Sequence, residues 1–258
     1  MKNDKKNLKK KEHSWFRESF SDDYLWLYAH RNDTEAFRQV KAAVKLLPFE
    51  KGQKILDVAC GAGRHVLAFA RLGARMTGID LSPVLIRAAR KKLKEKGIQA
   101  KLINQDMREL NFQDEFDGIT MWFSSFGYFP TMVDDRIVLR GVHRALKSGG
   151  WWWIDLPNPS WLGKNLIDES RRIKNGPYGK AHIYESRKIS RGRVIKNIIV
   201  EDQRGINEYV ESVRLYRPEQ FGSLIKSAKL KAIGVLGDYS GGALTAEKPR
   251  QIWYGLKE

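Results

Sequence analysis

The chain has 258 residues, of which 42% are hydrophobic and 30% charged, so we expect one large domain or two small ones with an apolar core. No window holds the roughly 18 uncharged apolar residues of a membrane-spanning helix, and the single cysteine, Cys60, excludes a disulfide framework. The net charge of +17 attracts anions, which leaves RNA as a candidate partner.

The N-terminal part of the chain divides into two segments. Residues 1–13 are rich in lysine, predict a disordered tail, and contain no apolar stretch typical of a signal peptide. Residues 14–48 predict a helical lid, because aromatic residues are followed by apolar residues at three- and four-residue spacing. We expect Asp33 or Thr34 to cap the second helix and Pro48 to end it.

From residue 54 onward, short apolar runs alternate with helical periodicity. The runs that predict strands are residues 54–60, 74–80, 100–106, 116–123 and 151–156. A helix capped by Ser82 separates two of these strands, and another helix is expected from Asp134 to Lys147. Near-continuous apolar strands joined by helices indicate an α/β fold, with a doubly wound, mostly parallel sheet covered on both faces.

Residues 160–217 interrupt this alternation. Three stretches alternate apolar and polar residues and predict antiparallel strands, namely residues 182–187, 194–200 and 208–216. We expect this segment to be an antiparallel β insertion that extends the main sheet or caps its rim. A helix over residues 218–229 and strands over 231–238 and 251–256 then complete the chain.

The strongest local motif is the turn Gly61-Ala-Gly63, which joins a strand to a helix. Glycine lets a ligand approach the backbone closely, and a helix N-terminus presents free N–H groups. Asp57 lies in the strand before the turn, whereas Asp80 and Asp106 end the next two predicted strands. Because parallel strands end at one edge of a sheet, these three acids favour a shared polar ligand, with Asp80 on ribose hydroxyls.

Two residues argue against a dinucleotide at this edge. Val66 stands where a pyrophosphate-binding turn has a small residue, and Asp57 would repel a pyrophosphate but attract an ammonium group. A nicotinamide-dependent oxidoreductase is therefore disfavoured. A ligand with an amino-acid end and a ribose end fits better, as in S-adenosylmethionine.

These motifs resemble those of the class I S-adenosylmethionine-dependent methyltransferases. The similar segments are residues 56–65, 78–82, 105–108, 116–127 and 146–151, so the resemblance is close over about residues 50–157. It implies a Rossmann-like sheet of seven strands whose last strand is antiparallel. The N-terminal lid, residues 14–48, and the insertion, residues 160–217, would then flank the cofactor within a methyltransferase domain of residues 49–258.

The resemblance also implies site residues. Those expected at the cofactor are Asp57, Ala59, Cys60, Gly61, Gly63, Arg64, Asp80, Leu81, Asp106, Met107 and Phe123. Those expected at the acceptor are Tyr24, Tyr28, Arg31, Ser124, Ser125 and Tyr128. His30 and Tyr128 are candidates for proton transfer, the catalytic residues are otherwise unassigned, and no residue spacing indicates a metal site.

Two motifs narrow the acceptor. The sequence Phe123-Ser-Ser-Phe-Gly replaces the Asn/Asp-Pro-Pro-Tyr motif of enzymes that methylate adenine or glutamine, and Cys60 lies in the cofactor loop rather than at a cytosine. We therefore expect methyl transfer by in-line displacement to a small-molecule acceptor, which the positive charge would favour as an anion. The alternatives are an RNA methyltransferase and a non-catalytic S-adenosylmethionine-binding protein. A cytoplasmic monomer or homodimer without a membrane partner is expected.

Overall fold

The computed structural model describes residues 15–258, so the predicted tail over residues 1–13 lies outside the described residues. After a helical turn over residues 15–18, the helices are α1 (Asp22–Leu27), α2 (Asp33–Ala43), α3 (Arg64–Arg71), α4 (Pro83–Glu95), α5 (Met132–Ala145), α6 (Pro159–Asn165) and α7 (Pro218–Ser227). The strands are β1 (Lys54–Val58), β2 (Arg75–Asp80), β3 (Lys101–Asn104), β4 (Phe116–Met121), β5 (Leu146–Pro157), β6 (Glu169–Gly176), β7 (Gly179–Ser190), β8 (Arg193–Asp202), β9 (Gly205–Arg214), β10 (Leu230–Leu236) and β11 (Arg250–Lys257). None of the described helices is long and apolar enough to cross a membrane.

The main sheet has seven strands in the order β10-β11-β5-β4-β1-β2-β3. Strand β11 runs opposite to the other six strands, which confirms the predicted doubly wound, mostly parallel fold. Strand β1 lies between β2 and β4. From β1 the chain adds β2 and β3 on one side and then β4 and β5 on the other, so the direction of strand addition reverses at β1. In open α/β sheets, ligands bind at the carboxyl ends of the strands beside such a reversal.

Strand β5 crosses the middle of the core, as its sequence indicates. Trp151, Trp152 and Trp153 are all buried, so both faces of this strand are covered. The strand begins at Leu146, and α5 therefore ends at Ala145 rather than at the predicted Lys147. Leu146 already pairs with Phe116 of β4, so sheet pairing ends the helix before the two glycines are reached.

The cap of α2 also differs from the prediction. Asn32 is the N-cap, and its side chain accepts the N–H of Glu35 at 2.9 Å. Asp33 and Thr34, the expected caps, already lie inside the first turn. Only the residue with extended backbone just before the helix can turn its side chain back onto the free N–H groups.

The segment after β5 forms a second sheet rather than an extension of the first. Its four antiparallel strands have the order β6-β7-β8-β9 and share no ladder with the main sheet. The sequence predicts only three of these strands and misses β6. The single large apolar residue of β6 is Ile173, and it is exposed. Such an edge strand lacks the alternation by which the other three strands can be recognised.

The two ends of this segment meet at one side chain of β11. Gln251 is fully buried, and its amide donates to the carbonyl oxygens of Pro157 at 3.1 Å and Tyr216 at 2.6 Å. The chain therefore leaves the main sheet and returns to it at nearly the same point.

The N-terminal residues contact both sheets. Asp23 accepts hydrogen bonds from Arg204 at 2.9 Å and from the Tyr209 hydroxyl at 2.5 Å, both in or next to β9. On the other side, the Ser82 hydroxyl, at the end of β2, donates to the carbonyl oxygen of Phe20 at 2.6 Å. The aromatic N-terminal segment is thereby placed over the carboxyl edge of the main sheet.

Candidate active site

A cavity of about 440 Å³ opens where β1, β2 and β4 end, beneath the N-terminal aromatic residues. Its volume lies within the range of small-molecule sites. Most of the predicted site residues line it: Tyr24, Tyr28, Arg31, Ala59, Cys60, Gly61, Arg64, Asp80, Leu81, Asp106, Met107, Phe123, Ser125 and Tyr128. Four predicted residues do not line this cavity: His30, Asp57, Gly63 and Ser124.

The two glycines of the loop after β1 have different tasks. Gly61 has a φ of +55°, and a Cβ there would project into open space, with Leu85 Cδ1 nearest at 4.0 Å. Gly63 has a φ of +76°, and its Cβ would lie 3.1 Å from that of Ala89 on α4. Gly61 therefore keeps room for a ligand, whereas Gly63 allows close packing of two helices.

Asp80 is the acceptor at the end of β2. Its two carboxylate oxygens accept the backbone N–H groups of Gly61 and Ser82, each at 2.8 Å. Burial raises the pKa of Asp80 to about 6, although these hydrogen bonds oppose the shift. The remaining lone pairs of this carboxylate face a cavity in which donor hydroxyls would stabilise its charge.

Asp57 lies behind the glycine loop. Its Oδ1 accepts the Thr120 hydroxyl at 2.9 Å, while Oδ2 is buried and has no hydrogen-bond partner among the described residues. Burial raises the pKa of Asp57 to about 7. An unpaired buried carboxylate oxygen is costly, so a positive group on the other side of the loop would be attracted to it.

Asp106 follows β3 and is already paired. Its oxygens accept hydrogen bonds from Arg108, the shortest at 2.7 Å, and Arg17 lies 3.8 Å away. Burial raises the pKa of Asp106, but the hydrogen bonds from Arg108 outweigh it and bring the pKa below its usual value. This acid therefore borders the cavity as a charged, paired carboxylate.

The opposite wall is aromatic. The rings of Phe20 and Tyr24 lie 5.0 Å apart, those of Tyr24 and Tyr28 4.6 Å, and those of Phe20 and Tyr128 5.8 Å. Burial raises the pKa of all three tyrosines. Their hydroxyls are thus neutral at physiological pH, and Tyr128, a candidate for proton transfer, is a hydrogen-bond donor there rather than a base.

Two guanidinium groups meet above one ring of the cavity. Arg64 lies 4.8 Å and Arg31 5.5 Å from the centre of the Phe123 ring. Burial, followed by the charge of Arg31, lowers the pKa of Arg64. Arg64 Nη1 makes no hydrogen bond among the described residues, and Glu35 lies 3.7 Å from it. A carboxylate or another anion between these groups would relieve their repulsion.

The side chains of His30 and Ser124 turn away from the cavity. His30 is exposed, and burial of part of its ring together with nearby cations lowers its pKa. The Ser124 hydroxyl accepts a hydrogen bond from Arg250 at 2.8 Å. Ser125 does line the cavity, although its hydroxyl donates to the carbonyl oxygen of Trp122 at 2.6 Å.

Several lining residues are absent from the predicted set. His65 and Trp122 line the cavity and stack at 4.3 Å with an angle of 4° between the rings. The position of Trp122, immediately before Phe123 at the end of β4, was the signal that could have identified it. Phe16 and Phe20 also line the cavity and belong to the aromatic N-terminal stretch.

Neither thiolate nor metal chemistry is indicated at this site. Cys60 is buried, and burial raises the pKa of its thiol well above the usual value, as expected for a small packing residue. Within residues 15–258, no three His, Cys, Asp or Glu side chains are grouped so that they could hold a metal ion.

Comparisons with known proteins agree with this geometry. A family model described as a methyltransferase domain matches residues 55–150. The chain is 25% identical over 204 residues to the cypemycin N-terminal methyltransferase of Streptomyces sp, covering 78% of this chain and 82% of that protein. It is 30% identical over 155 residues to an uncharacterised methyltransferase of Synechocystis sp., covering 56% of this chain and 69% of that protein.

A sugar-modifying relative and a solved structure extend these similarities. The dTDP-4-amino-2,3,4,6-tetradeoxy-D-glucose N,N-dimethyltransferase of Saccharopolyspora spinosa is 26% identical over 200 residues, covering 75% of this chain and 78% of that protein. An S-adenosylmethionine-dependent methyltransferase from Clostridium acetobutylicum superimposes with a TM-score of 0.74 at 20% identity, over 91% of this chain and 95% of that chain. The latter similarity concerns the fold.

Proposed function

Because the chain belongs to the class I S-adenosylmethionine-dependent methyltransferases, we propose that it methylates an amine nitrogen of a small, anionic acceptor. The observation that carries this proposal is the aromatic wall of Phe20, Tyr24 and Tyr128 facing the acidic edge of the sheet across one cavity. The carboxylates suit the cofactor, and the rings suit a nitrogen that becomes positively charged.

The residues present fit the cofactor. Gly61 leaves open space, Asp80 offers lone pairs to ribose hydroxyls, and the unpaired oxygen of Asp57 attracts an ammonium group through the loop. Arg31 and Arg64 suit the cofactor's carboxylate. When bound, S-adenosylmethionine supplies a methyl group already activated by its sulfonium, so the protein needs chiefly to position the acceptor and exclude water.

The aromatic wall suits nitrogen as the attacking atom. If an amine nitrogen took this methyl group, the new N–C bond would form as the S–C bond broke, and the nitrogen would become positively charged. Aromatic faces attract such a cation. The neutral hydroxyl oxygens of Tyr24 and Tyr128 can accept its N–H groups, and that of Tyr24 also accepts Arg31 at 3.1 Å. The ammonium product then loses its proton to water, so an aliphatic amine that enters neutral needs no protein base.

The relatives support the same acceptor chemistry. One of them is named for N,N-dimethylation of a dTDP-linked amino sugar, and another is named as an N-terminal methyltransferase of cypemycin. A nucleotide-linked sugar is an anion, which agrees with the net charge of +17. We infer that residues 16–28 and the four-stranded sheet cover this acceptor.

A calorimetric titration followed by a paired acceptor assay tests the proposal. We expect micromolar binding of S-adenosylmethionine and S-adenosylhomocysteine, then methyl transfer to dTDP-linked amino sugars but not to the matching hydroxyl sugars. Equal transfer to the hydroxyl sugars would contradict the amine assignment. Failure of the folded protein to bind either form of the cofactor would contradict the whole proposal.

An RNA methyltransferase remains the alternative that the charge suggests. It requires RNA binding that weakens steeply with salt, which the same protein can be assayed for at two salt concentrations. The cytoplasmic location and the monomeric or homodimeric state stay predictions from the sequence.

A further inference from the structure

The turn that follows β4 is strained. Phe123 has a φ of +53° and Ser124 a φ of +62°, so two consecutive residues other than glycine adopt the left-handed conformation. Such a conformation costs free energy and persists only where the surrounding structure holds it. The turn borders the cavity, because Phe123 and Ser125 line it.

One residue at the end of β5 bonds both strained positions. Asp155 is fully buried, and its Oδ2 accepts the backbone N–H of Phe123 at 2.8 Å. Its own carbonyl oxygen accepts the N–H of Ser124 at 3.0 Å. Asp155 thus holds the two residues in the conformation that they would not adopt alone.

The Asp155 carboxylate also accepts hydrogen bonds from two side chains near the C-terminal end of the chain. It accepts the hydroxyl of Tyr239 at 2.5 Å and Nε of Arg250 at 2.7 Å. Arg250 also donates to the Ser124 hydroxyl at 2.8 Å. None of these three residues, Asp155, Tyr239 and Arg250, lines the cavity.

We propose that Asp155 is a positioning residue for the cofactor site. By fixing the strained turn, it places the Phe123 ring beneath the guanidinium groups of Arg64 and Arg31, at 4.8 and 5.5 Å. This inference rests on the proposed function, in which those two arginines receive the cofactor's carboxylate.

Binding of S-adenosylhomocysteine to Asp155→Asn tests the proposal. An amide has one acceptor oxygen, and its NH2 group cannot accept, so at least one of the bonds from Phe123, Tyr239 and Arg250 is lost. The turn is then held less firmly, and we expect affinity to fall about tenfold or more. Adding Ser124→Gly should restore most of that loss, because glycine adopts a positive φ without strain. Ser124→Gly alone supplies the baseline. Unchanged affinity in folded Asp155→Asn would overturn the proposal.

Two matched variants separate positioning from general stability. Asp135 is also fully buried and accepts from Tyr216 at 2.5 Å and Arg214 at 3.1 Å, so Asp135→Asn should lower the Tm and leave affinity unchanged. Arg191 also has a positive φ, +49°, but it lies in a hairpin turn outside the cavity. Glycine would relieve strain there without affecting the turn after β4, so Arg191→Gly should not restore binding to Asp155→Asn. Restoration by Arg191→Gly would overturn the proposal.

A milder variant and the wild type complete the experiment. Tyr239→Phe removes one bond to Asp155 and leaves the buried carboxylate paired with Arg250, so it should weaken binding two- to fivefold even if Asp155→Asn fails to fold. Wild-type affinity in Tyr239→Phe together with an unfolded Asp155→Asn would show Asp155 to be structural only. If the wild type binds no cofactor, the proposed function fails and not merely this inference.

Discussion

One side of the cavity is made of backbone and carboxylates at the ends of β1, β2 and β3, and the opposite side is made of aromatic rings from the N-terminal segment. On the first side, Gly61 and Asp80 are joined by a hydrogen bond across 19 residues of sequence. On the second, the hydroxyl of Tyr28 donates to Glu211, 183 residues away. The bonds of Gly61, Asp80 and Asp57 on the proposed cofactor side lie within the main sheet and its loops, whereas the acceptor side depends on the second sheet.

Because different elements hold the two sides, we expect substitutions on each side to affect a different ligand. Changes on the carboxylate side should alter cofactor affinity for every acceptor. Changes on the aromatic side should alter the KM for the acceptor and spare the cofactor. The following variants test that separation, beginning with the largest expected effect.

Gly61→Val should abolish cofactor binding, with a loss of more than about a hundredfold. A β-branched residue is strained at a φ of +55°, and its side chain would fill the space in front of Leu85. Titration with S-adenosylhomocysteine measures the loss. Gly97→Val is the matched control, since Gly97 also has a positive φ, +65°, but lies outside the cavity. Wild-type affinity in folded Gly61→Val would refute the loop assignment.

Asp80→Ala should weaken the cofactor by about 1–3 kcal/mol, because buried ribose hydroxyls would lose their acceptor. Asp117→Ala is the control, since Asp117 accepts from Lys54 and Lys147 at the other end of the sheet. The Kd of S-adenosylhomocysteine measures both effects. An unchanged Kd in Asp80→Ala would show that Asp80 is not the ribose acceptor.

Cofactor affinity should rise with pH, roughly fourfold between pH 5.5 and 7.5 if Asp80 alone titrates. Burial raises the pKa of Asp80 to about 6 and that of Asp57 to about 7 in the free protein. A ligand that donates to these groups favours their charged forms, so binding releases protons. Calorimetry in two buffers of different ionisation heat counts the protons, and a flat profile would contradict the prediction.

The same two groups act oppositely on the ligand-free protein. Their pKa values are higher in the folded state than in the unfolded state, so their contribution to stability is complete below about pH 4 and is lost as pH rises through 6 and 7. Saturating cofactor should reduce this loss, which thermal unfolding with and without S-adenosylhomocysteine would measure.

Tyr28→Phe should have the smallest effect and should fall on the acceptor. It removes hydrogen bonds to Glu211 at 2.6 Å and Lys196 at 2.8 Å, so the wall loosens and we expect the acceptor KM to rise about threefold. Cofactor affinity should change less than twofold. Tyr184→Phe, in the second sheet but outside the cavity, is the control. A larger change in the Kd of the cofactor than in the KM of the acceptor would contradict the assignment of the two sides.

The parts of the site that could be predicted are those carried by contiguous motifs. Gly61 and Asp80 follow apolar strands, and parallel strands bring their ends together whatever the rest of the chain does. Ser124 was expected in the cavity, but the positive φ values of the turn direct it to Arg250, and no local pattern reveals such a turn.

The aromatic side was harder to predict for a physical reason. The residues that hold it, such as Arg204 on Asp23, are distant in sequence and have no spacing that relates them. Strand β6 was missed because its single large apolar residue, Ile173, faces solvent. Tertiary hydrogen bonds stabilise the aromatic side, and neither composition nor periodicity predicts such bonds.

The Gln251 side chain has a consequence for how such enzymes diversify. Because it bonds the carbonyl oxygens of both Pro157 and Tyr216, the two ends of the segment that contains the second sheet lie side by side at the main sheet. A segment whose ends are adjacent can be lengthened, shortened or exchanged with little cost in loop closure. A different segment can therefore be joined at this point while the strand ends that carry Gly61 and Asp80 stay in place.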